Sequence, residues 1–319
     1  MTVFDGHSDL LYDVTRRRLL GETHVLERCH LAHLRQGGVE GLVLALWSSC
    51  TPDSFWNQVR GGETDESRTN LLLRCLEEEL AECPEVVLVR TAAEAEQAKA
   101  QNKIYAFLGV EGMAAIDREA VAGVEGYHRL GARMGMLTWN EENELATGAG
   151  GDPHKGLTAY GRQAVRRMQE LGMLVDVSHL NDGGFHDVIR MTSGPVIASH
   201  SNCRALCPVR RNLDDDQLRA IRDIGGLVGL NVYHGFVHED PEKQTVELLA
   251  RHAAHMAEVM GVEHVACGFD FCEYMGDPGV TGLDNASCIP KVFEELRKLG
   301  MHDRELDLLA RENLLRLLG

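Results

Sequence analysis

The chain has 319 residues, 44% hydrophobic and 25% charged, an ordinary globular composition with length enough for one large α/β barrel. A formal net charge of −17 argues against nucleic acid or an anionic membrane surface as a partner, because both are themselves negative. No apolar run approaches the roughly 20 residues of a membrane span, and the start MTVFDGHSD has neither a basic segment nor an apolar core of a signal peptide, so a cytoplasmic location is expected.

Short apolar runs recur along the chain, each followed by a helix-like stretch. The first is TVFDGH (2–7), after which Ser8 or Asp9 could cap a helix starting at Leu10. VEGLVLALW (39–47) is the second. A weaker run, VVLVR (86–90), reads as a peripheral strand before an Ala/Glu-rich helix at 92–101. IYAFLGVEG (104–112) and ARMGMLTW (132–139) follow. The irregular, Gly-rich stretch 140–156 is either a substrate lid or a long surface loop. An amphipathic helix at 158–172 ends on Gly172, suited to the left-handed residue after a helix. MLVDVSH (173–179) and PVIASH (195–200) are the next strands. Asn212 is a candidate N-cap for a helix at 213–226 with acids in its first turn. GGLVGLNVY (225–233), a helix at 245–261 ending on Gly261, and HVACGFDF (264–271) complete the series. Near-continuous apolar strands are buried on both faces, as in parallel sheets. Eight strong ones alternating with helices predict a single (β/α)8 TIM barrel over residues 1–319.

The nine cysteines, Cys29, Cys50, Cys75, Cys83, Cys203, Cys207, Cys267, Cys272 and Cys288, are odd in number and form no dense framework, so free thiols are expected. Neither Cys203/Cys207 nor Cys267/Cys272 has the spacing of a structural zinc site.

In this fold, chemistry sits at the C-terminal ends of the strands. There the runs finish on His7 and Asp9, Glu111, His179, His200 and Asp270. One such residue is ordinarily a cap or a satisfied core group; six at one end of the barrel point to a metal centre. Imidazole and carboxylate are usual zinc ligands, and a Glu can bridge two ions with its two oxygens. Two such ions can share a hydroxide whose pKa they lower towards neutrality. The step from His179 to His200 matches one strand–helix–strand unit, which places both on adjacent strands able to hold one ion, while His7 and Asp9 can hold the other.

The set DGHSDLL, LGVEG, LVDVSH, ASHSNCRAL…RRN and CGFDF resembles the membrane (renal) dipeptidase family, the zinc dipeptidases of peptidase family M19, over nearly the whole chain. The resemblance implies two Zn²⁺ per chain: His7 and Asp9 on the first, Glu111 bridging, His179 and His200 on the second. It implies that Asp270 handles protons beside the bridging hydroxide and that Arg211 holds the substrate's terminal carboxylate. A planar guanidinium suits that task; otherwise Arg211 reads as a solvated charge or a partner of Asp214–Asp216. It also implies tolerance of a D-residue at the C-terminal position of a dipeptide, and a homodimer. Family members often carry His where this chain has Trp139. An indole N–H donates one hydrogen bond but carries no charge, so Trp139 donates, Asn140 or a metal takes over, or Trp139 is a pocket wall. His234 and His238, at the active end of the barrel, are candidate substrate contacts, and Tyr233 is a similar candidate; His252 and His255 read as a solvated helix face. The alternatives are another binuclear hydrolase, acting on a lactone, cyclic amide or N-acyl amino acid, and an inactive metal-binding scaffold.

Overall fold

Alternate residues of the run 39–47 face opposite sides of one sheet. Gly41, Val43 and Ala45 stand in register with Tyr105, Phe107 and Gly109 of the neighbouring strand. Val43, Tyr105 and Phe107 join an inner cluster with Phe4, Met134, Leu174, Ile197, Leu227 and Ala266. Leu42, Leu44 and Leu46 face outward into the layer shared with the helices. Both faces are therefore apolar, which is why the run shows no polar alternation. The ring of Tyr105 occupies the space over Gly41: a Cβ there would lie 1.9 Å from it.

The computed structural model describes residues 1–49, 54–116, 118–277 and 279–318. Its strands are β1 (Val3–Ser8), β2 (Val39–Trp47), β3 (Val86–Leu88), β4 (Ile104–Glu111), β5 (Ala132–Met136), β6 (Leu174–Asp176), β7 (Val196–Ala198), β8 (Leu227–Leu230) and β9 (Val265–Cys267). They pair in the order β2-β1-β9-β8-β7-β6-β5-β4, and β2 pairs with β4 to close an eight-stranded parallel barrel. This is the expected (β/α)8 TIM barrel. The peripheral strand is β3, which pairs with the first residues of β4, while β5 pairs with its last ones. Below the barrel, Leu314, Leu315 and Leu318 plug the inner cluster. Asn313 ties this segment to the barrel by donating to the carbonyls of Val262 and Val265, at 2.7 and 2.8 Å.

Helix ends follow the sequence except at two N-caps. Thr158 caps Ala159–Glu170, and Gly172 (φ 70°) follows it; Gly261 (φ 85°) follows Val246–Met260. Asn212 is not the N-cap of the helix it precedes. Asp214 caps Asp215–Asp223 in a capping box with Gln217, while the Asn212 side-chain oxygen accepts Asn202 N–H at 3.2 Å and its Nδ2 donates to the Cys207 and Phe236 carbonyls at 2.9 and 2.8 Å. Asp9 takes the N-cap position of Leu10–Leu19 but makes no side-chain capping bond, leaving its carboxylate for the barrel mouth. The stretch 140–156 is tied down along its length. Gly150 N–H donates to Asn140 O, Ala149 N–H to His179 O and Gly183 N–H to Pro153 O, and the Asn181 amide donates to Lys155 O at 2.8 Å. In this conformation it forms a hydrogen-bonded rim of the barrel mouth.

Cys29, Cys75, Cys83, Cys203, Cys207, Cys267, Cys272 and Cys288 are free thiols; Cys50 lies outside the described residues. Among the described residues no helix is long and apolar enough to cross a membrane.

Candidate metal centre

The ligand candidates reach the barrel mouth by different local devices. His7 sits in β1 where the ladder to β2 shifts register between Asp5 and Ser8, an irregularity of the kind that re-aims side chains. Asp9 follows two residues on. Glu111 ends β4. Beyond β6 the ladder stops because the Asp176 carboxylate takes over the backbone donors: one oxygen accepts Ser178 N–H at 3.0 Å and Ser199 N–H at 3.1 Å. Ser178 Oγ in turn accepts His200 N–H at 3.1 Å. This knot presents His179 and His200 side by side, with Nε2 atoms 2.9 Å apart. Asp270, just past β9, has φ 58°, a backbone region sparsely populated outside glycine and common at functional sites. Asn231 Nδ2 donates to its Oδ2 at 3.0 Å.

The six side chains converge. His7 Nε2 lies 3.3 Å from Glu111 Oε2, 3.7 Å from Asp9 Oδ1 and 3.9 Å from Asp270 Oδ1. His179 Nε2 lies 2.9 Å from Glu111 Oε1, and His200 Nε2 3.9 Å from it. Glu111 thus offers one oxygen to each half. Asn140 Oδ1 stands 3.0 Å from His179 Nδ1; a proton on that nitrogen leaves Nε2 with a lone pair facing the cluster.

Charge is frustrated here. Burial alone would depress the His7 imidazole, but Glu111, Asp270 and Asp9 overcome it and raise it to about 10. Burial and then Glu111 push the Asp9 carboxyl well above its usual range. Burial also raises Asp270, with the Glu111 charge adding to it. Burial would raise Glu111 too, yet His7 and His179 hold it well below the normal value. His179 falls to about 3 through burial and the Arg211 charge.

Divalent cations would relieve this arrangement. His7 Nε2, Asp9 Oδ1 and Glu111 Oε2 are buried without a hydrogen-bond partner, a condition that costs free energy unless something binds them. Ligand atoms of His7, Glu111 and His200 lie within 4.8 Å of one another, as do those of His7, Asp9 and Asp270. An all nitrogen-and-oxygen set suits zinc and its first-row neighbours. No cysteine enters either group.

A cavity of about 650 Å³ opens over the cluster. Arg211 borders it, buried, with Nη2 3.0 Å from His179 Nε2 and the guanidinium 5.1 Å from the Phe236 ring centroid. Its Nε and Nη1 have no partner, and it makes no pair with Asp214–Asp216, whose partners are Arg204, His255 and Arg219. Burial lowers it to about 10. Trp139, Asn140 and Tyr233 also line the cavity. His234 and His238 do not; they face Asp277 and the Asp240 N–H.

His252 is not on a solvated face. It is fully buried: Nδ1 accepts Cys203 N–H at 3.1 Å and Nε2 donates to Val237 O at 2.9 Å. His255, its neighbour on the helix, pairs with Asp215 at 2.8 Å. The sequence reading missed Trp47, Arg210, Cys272, Met275 and Asp277, all of which line the cavity. For Trp47 a signal existed: it ends a strand whose inward residues are otherwise small, at the catalytic end.

Comparison with known proteins follows the same line. The model of the membrane dipeptidase family, peptidase family M19, matches residues 1–319. An uncharacterized protein of Klebsiella pneumoniae, from the pqqA 5′ region, is 34% identical over 244 residues, 72% of this chain and 87% of its own length. An uncharacterized dipeptidase of Schizosaccharomyces pombe is 38% identical over 198 residues, 60% of this chain and 47% of its own. The crystal structure of a metallo peptidase from Rhodobacter sphaeroides, liganded with a phosphinate mimic of the dipeptide L-Ala-D-Ala, superposes with a TM-score of 0.88 at 28% identity, covering 100% of this chain and 98% of that one.

Proposed function

The chain belongs to the membrane dipeptidase family, peptidase family M19, and from that membership we propose that this metallo-dipeptidase cleaves free dipeptides with two zinc ions, in the cytoplasm and as one hydrolase domain over residues 1–319. The observation that carries the reading is the set of unpartnered buried ligand atoms on His7, Asp9 and Glu111, beside one cavity that Asp9, Glu111 and the buried Arg211 line. His7 and Asp9 would hold one ion, His179 and His200 the other, and Glu111 both. When bound, such a pair supplies Lewis acidity for the amide carbonyl and lowers the pKa of water so that hydroxide is available near neutral pH.

The chain's own groups do the rest. Arg211 holds the substrate's C-terminal carboxylate through its guanidinium, whose planar array of N–H groups orients the scissile bond. Asp270 takes the proton lost by the attacking water and passes it to the departing amine nitrogen. Burial and the Glu111 charge, which raise Asp270, suit it to carrying that proton between the two steps. Asn231 holds its other oxygen. Asn140 orients His179. Trp139 borders the reacting centre as wall or single N–H donor, and Tyr233 contacts the substrate from the β8 side. Tolerance of a D-residue is proposed from the Rhodobacter relative, whose bound mimic is of L-Ala-D-Ala.

The test joins elemental analysis to hydrolysis of L-L and L-D dipeptides on one sample. About two zinc ions per chain with dipeptide turnover, both lost in Glu111→Ala, is the expected result. Metal without turnover of any dipeptide, together with cleavage of N-acyl amino acids, would replace the dipeptide by another amide. No metal uptake from added zinc would overturn the mechanism.

A further inference from the structure

Trp47 stands opposite Glu111 in the parallel ladder between β2 and β4. Residues paired this way point to the same side of the sheet. Down the inner face of β2 the sequence is Gly41, Val43, Ala45 and then Trp47, so one large aromatic side chain appears in the same layer as the proposed bridging carboxylate. It borders the cavity. Its ring lies 5.5 Å from that of Trp139, centroid to centroid, and together they form one continuous aromatic wall. Tyr12 backs Trp47 at 5.2 Å and is itself braced by Phe55 at 5.1 Å. The wall is therefore backed by aromatic contacts, and apolar apart from its indole N–H groups.

Around the mouth, β2 lies diametrically across from β7 in the closed strand order. Arg211 enters from the connection after β7. A dipeptide whose carboxylate is held there directs its other residue towards β2. We infer that Trp47, with Trp139, is the specificity-determining wall for the side chain of the substrate's N-terminal residue, and that it selects large apolar and aromatic side chains there. This rests on the dipeptidase reading above. The physical warrant is burial: an aromatic side chain stacked on a fixed ring gains both area and ring–ring contact that alanine cannot make.

The experiment compares kcat/KM for Ala-Ala, Phe-Ala, Leu-Ala and Ala-Phe, each with L- and D-residues at the C-terminal position, in the zinc-loaded wild type, Trp47→Ala and Trp47→Phe. In the wild type Phe-Ala and Leu-Ala should exceed Ala-Ala by at least about tenfold, the scale of a well-filled apolar pocket. Trp47→Ala should erase that ratio, Trp47→Phe should keep part of it, and the Ala-Phe to Ala-Ala ratio should not change. A loss equal on all substrates would make Trp47 structural and overturn the inference. A change confined to the Ala-Phe ratio would assign the wall to the C-terminal residue and overturn it as well. A wild type showing no N-terminal preference overturns it without any variant. Turnover of Ala-Ala separates these results from failure of the dipeptidase reading, in which no dipeptide is cleaved.

Discussion

Arg211→Ala tests the most specific part of the proposed substrate geometry. The guanidinium is buried, stacked over Phe236, and carries two donors without partners. A hydrogen bond to a charged group contributes ~1.5–3 kcal/mol. Two at the low end, since the free carboxylate is well hydrated, total about 3 kcal/mol, or about 150-fold in kcat/KM at 1.36 kcal/mol per decade. The loss should fall mainly on KM, because the carboxylate is held alike in ground and transition states. Arg211→Lys keeps the charge but presents a point donor in place of a fork, and should lose roughly tenfold. The assay pairs each free dipeptide with its C-terminal amide. Wild type should discriminate against the amide by about the same 150-fold, and Arg211→Ala should show almost no discrimination, as in a double-mutant cycle. If the variant loses as much on the amide as on the free dipeptide, Arg211 acts through its contact with His179, and carboxylate recognition is refuted.

Asp270→Asn should lower kcat by about 10²–10⁴-fold with metal content unchanged; loss of an ion instead would make Asp270 a ligand. Asn140→Ala frees the His179 ring and should weaken zinc binding by about 10–100-fold in chelator competition; unchanged affinity would refute its orienting role. Asp13 contributes a pH-dependent share of stability. Burial would raise its carboxyl, but bonds from His30, Arg16 and Arg17 hold it at about 2, below the ordinary 3.8. A group depressed in the folded state stabilises fully above its unfolded value, so this share is present above about pH 4 and disappears as the pH falls from there through about 2. Urea titrations of wild type and Asp13→Asn between pH 2 and 6 should therefore converge at the acid end, and parallel curves would refute the assignment.

The barrel strands were readable because both their faces are apolar, and each ligand candidate because a polar residue interrupts such a run. Strand ends were not. MLVDVSH reads as extended through His179, yet the ladder stops at Asp176, whose side chain competes for the backbone donors that the next rung would use. Asn212 has the chemistry of a cap, and only the fold reveals that the Asn202 N–H claims its side-chain oxygen. His252 looked solvated among alanines and charges, although it lies on the stripe Leu249, Ala253, Met256 and Met260, all buried; that periodicity was available. Trp47 carries no polar mark; its size after small inward residues at the end of β2 is its signal in the sequence, and the register of β2 against β4 places it beside Glu111.

The chain's three tryptophans are Trp47, Trp56 and Trp139. Tyr12 bridges the first two, at 5.2 and 6.2 Å, and Trp139 adjoins Trp47. Tryptophan fluorescence, excited selectively at the red edge, therefore originates in one patch at one side of the mouth. Its emission reports on the β1–β5 side of the barrel and on whatever enters the cleft, while the β7–β9 side stays dark. A melting curve followed at that wavelength would register loosening of half a barrel, and a ligand titration would need no added probe.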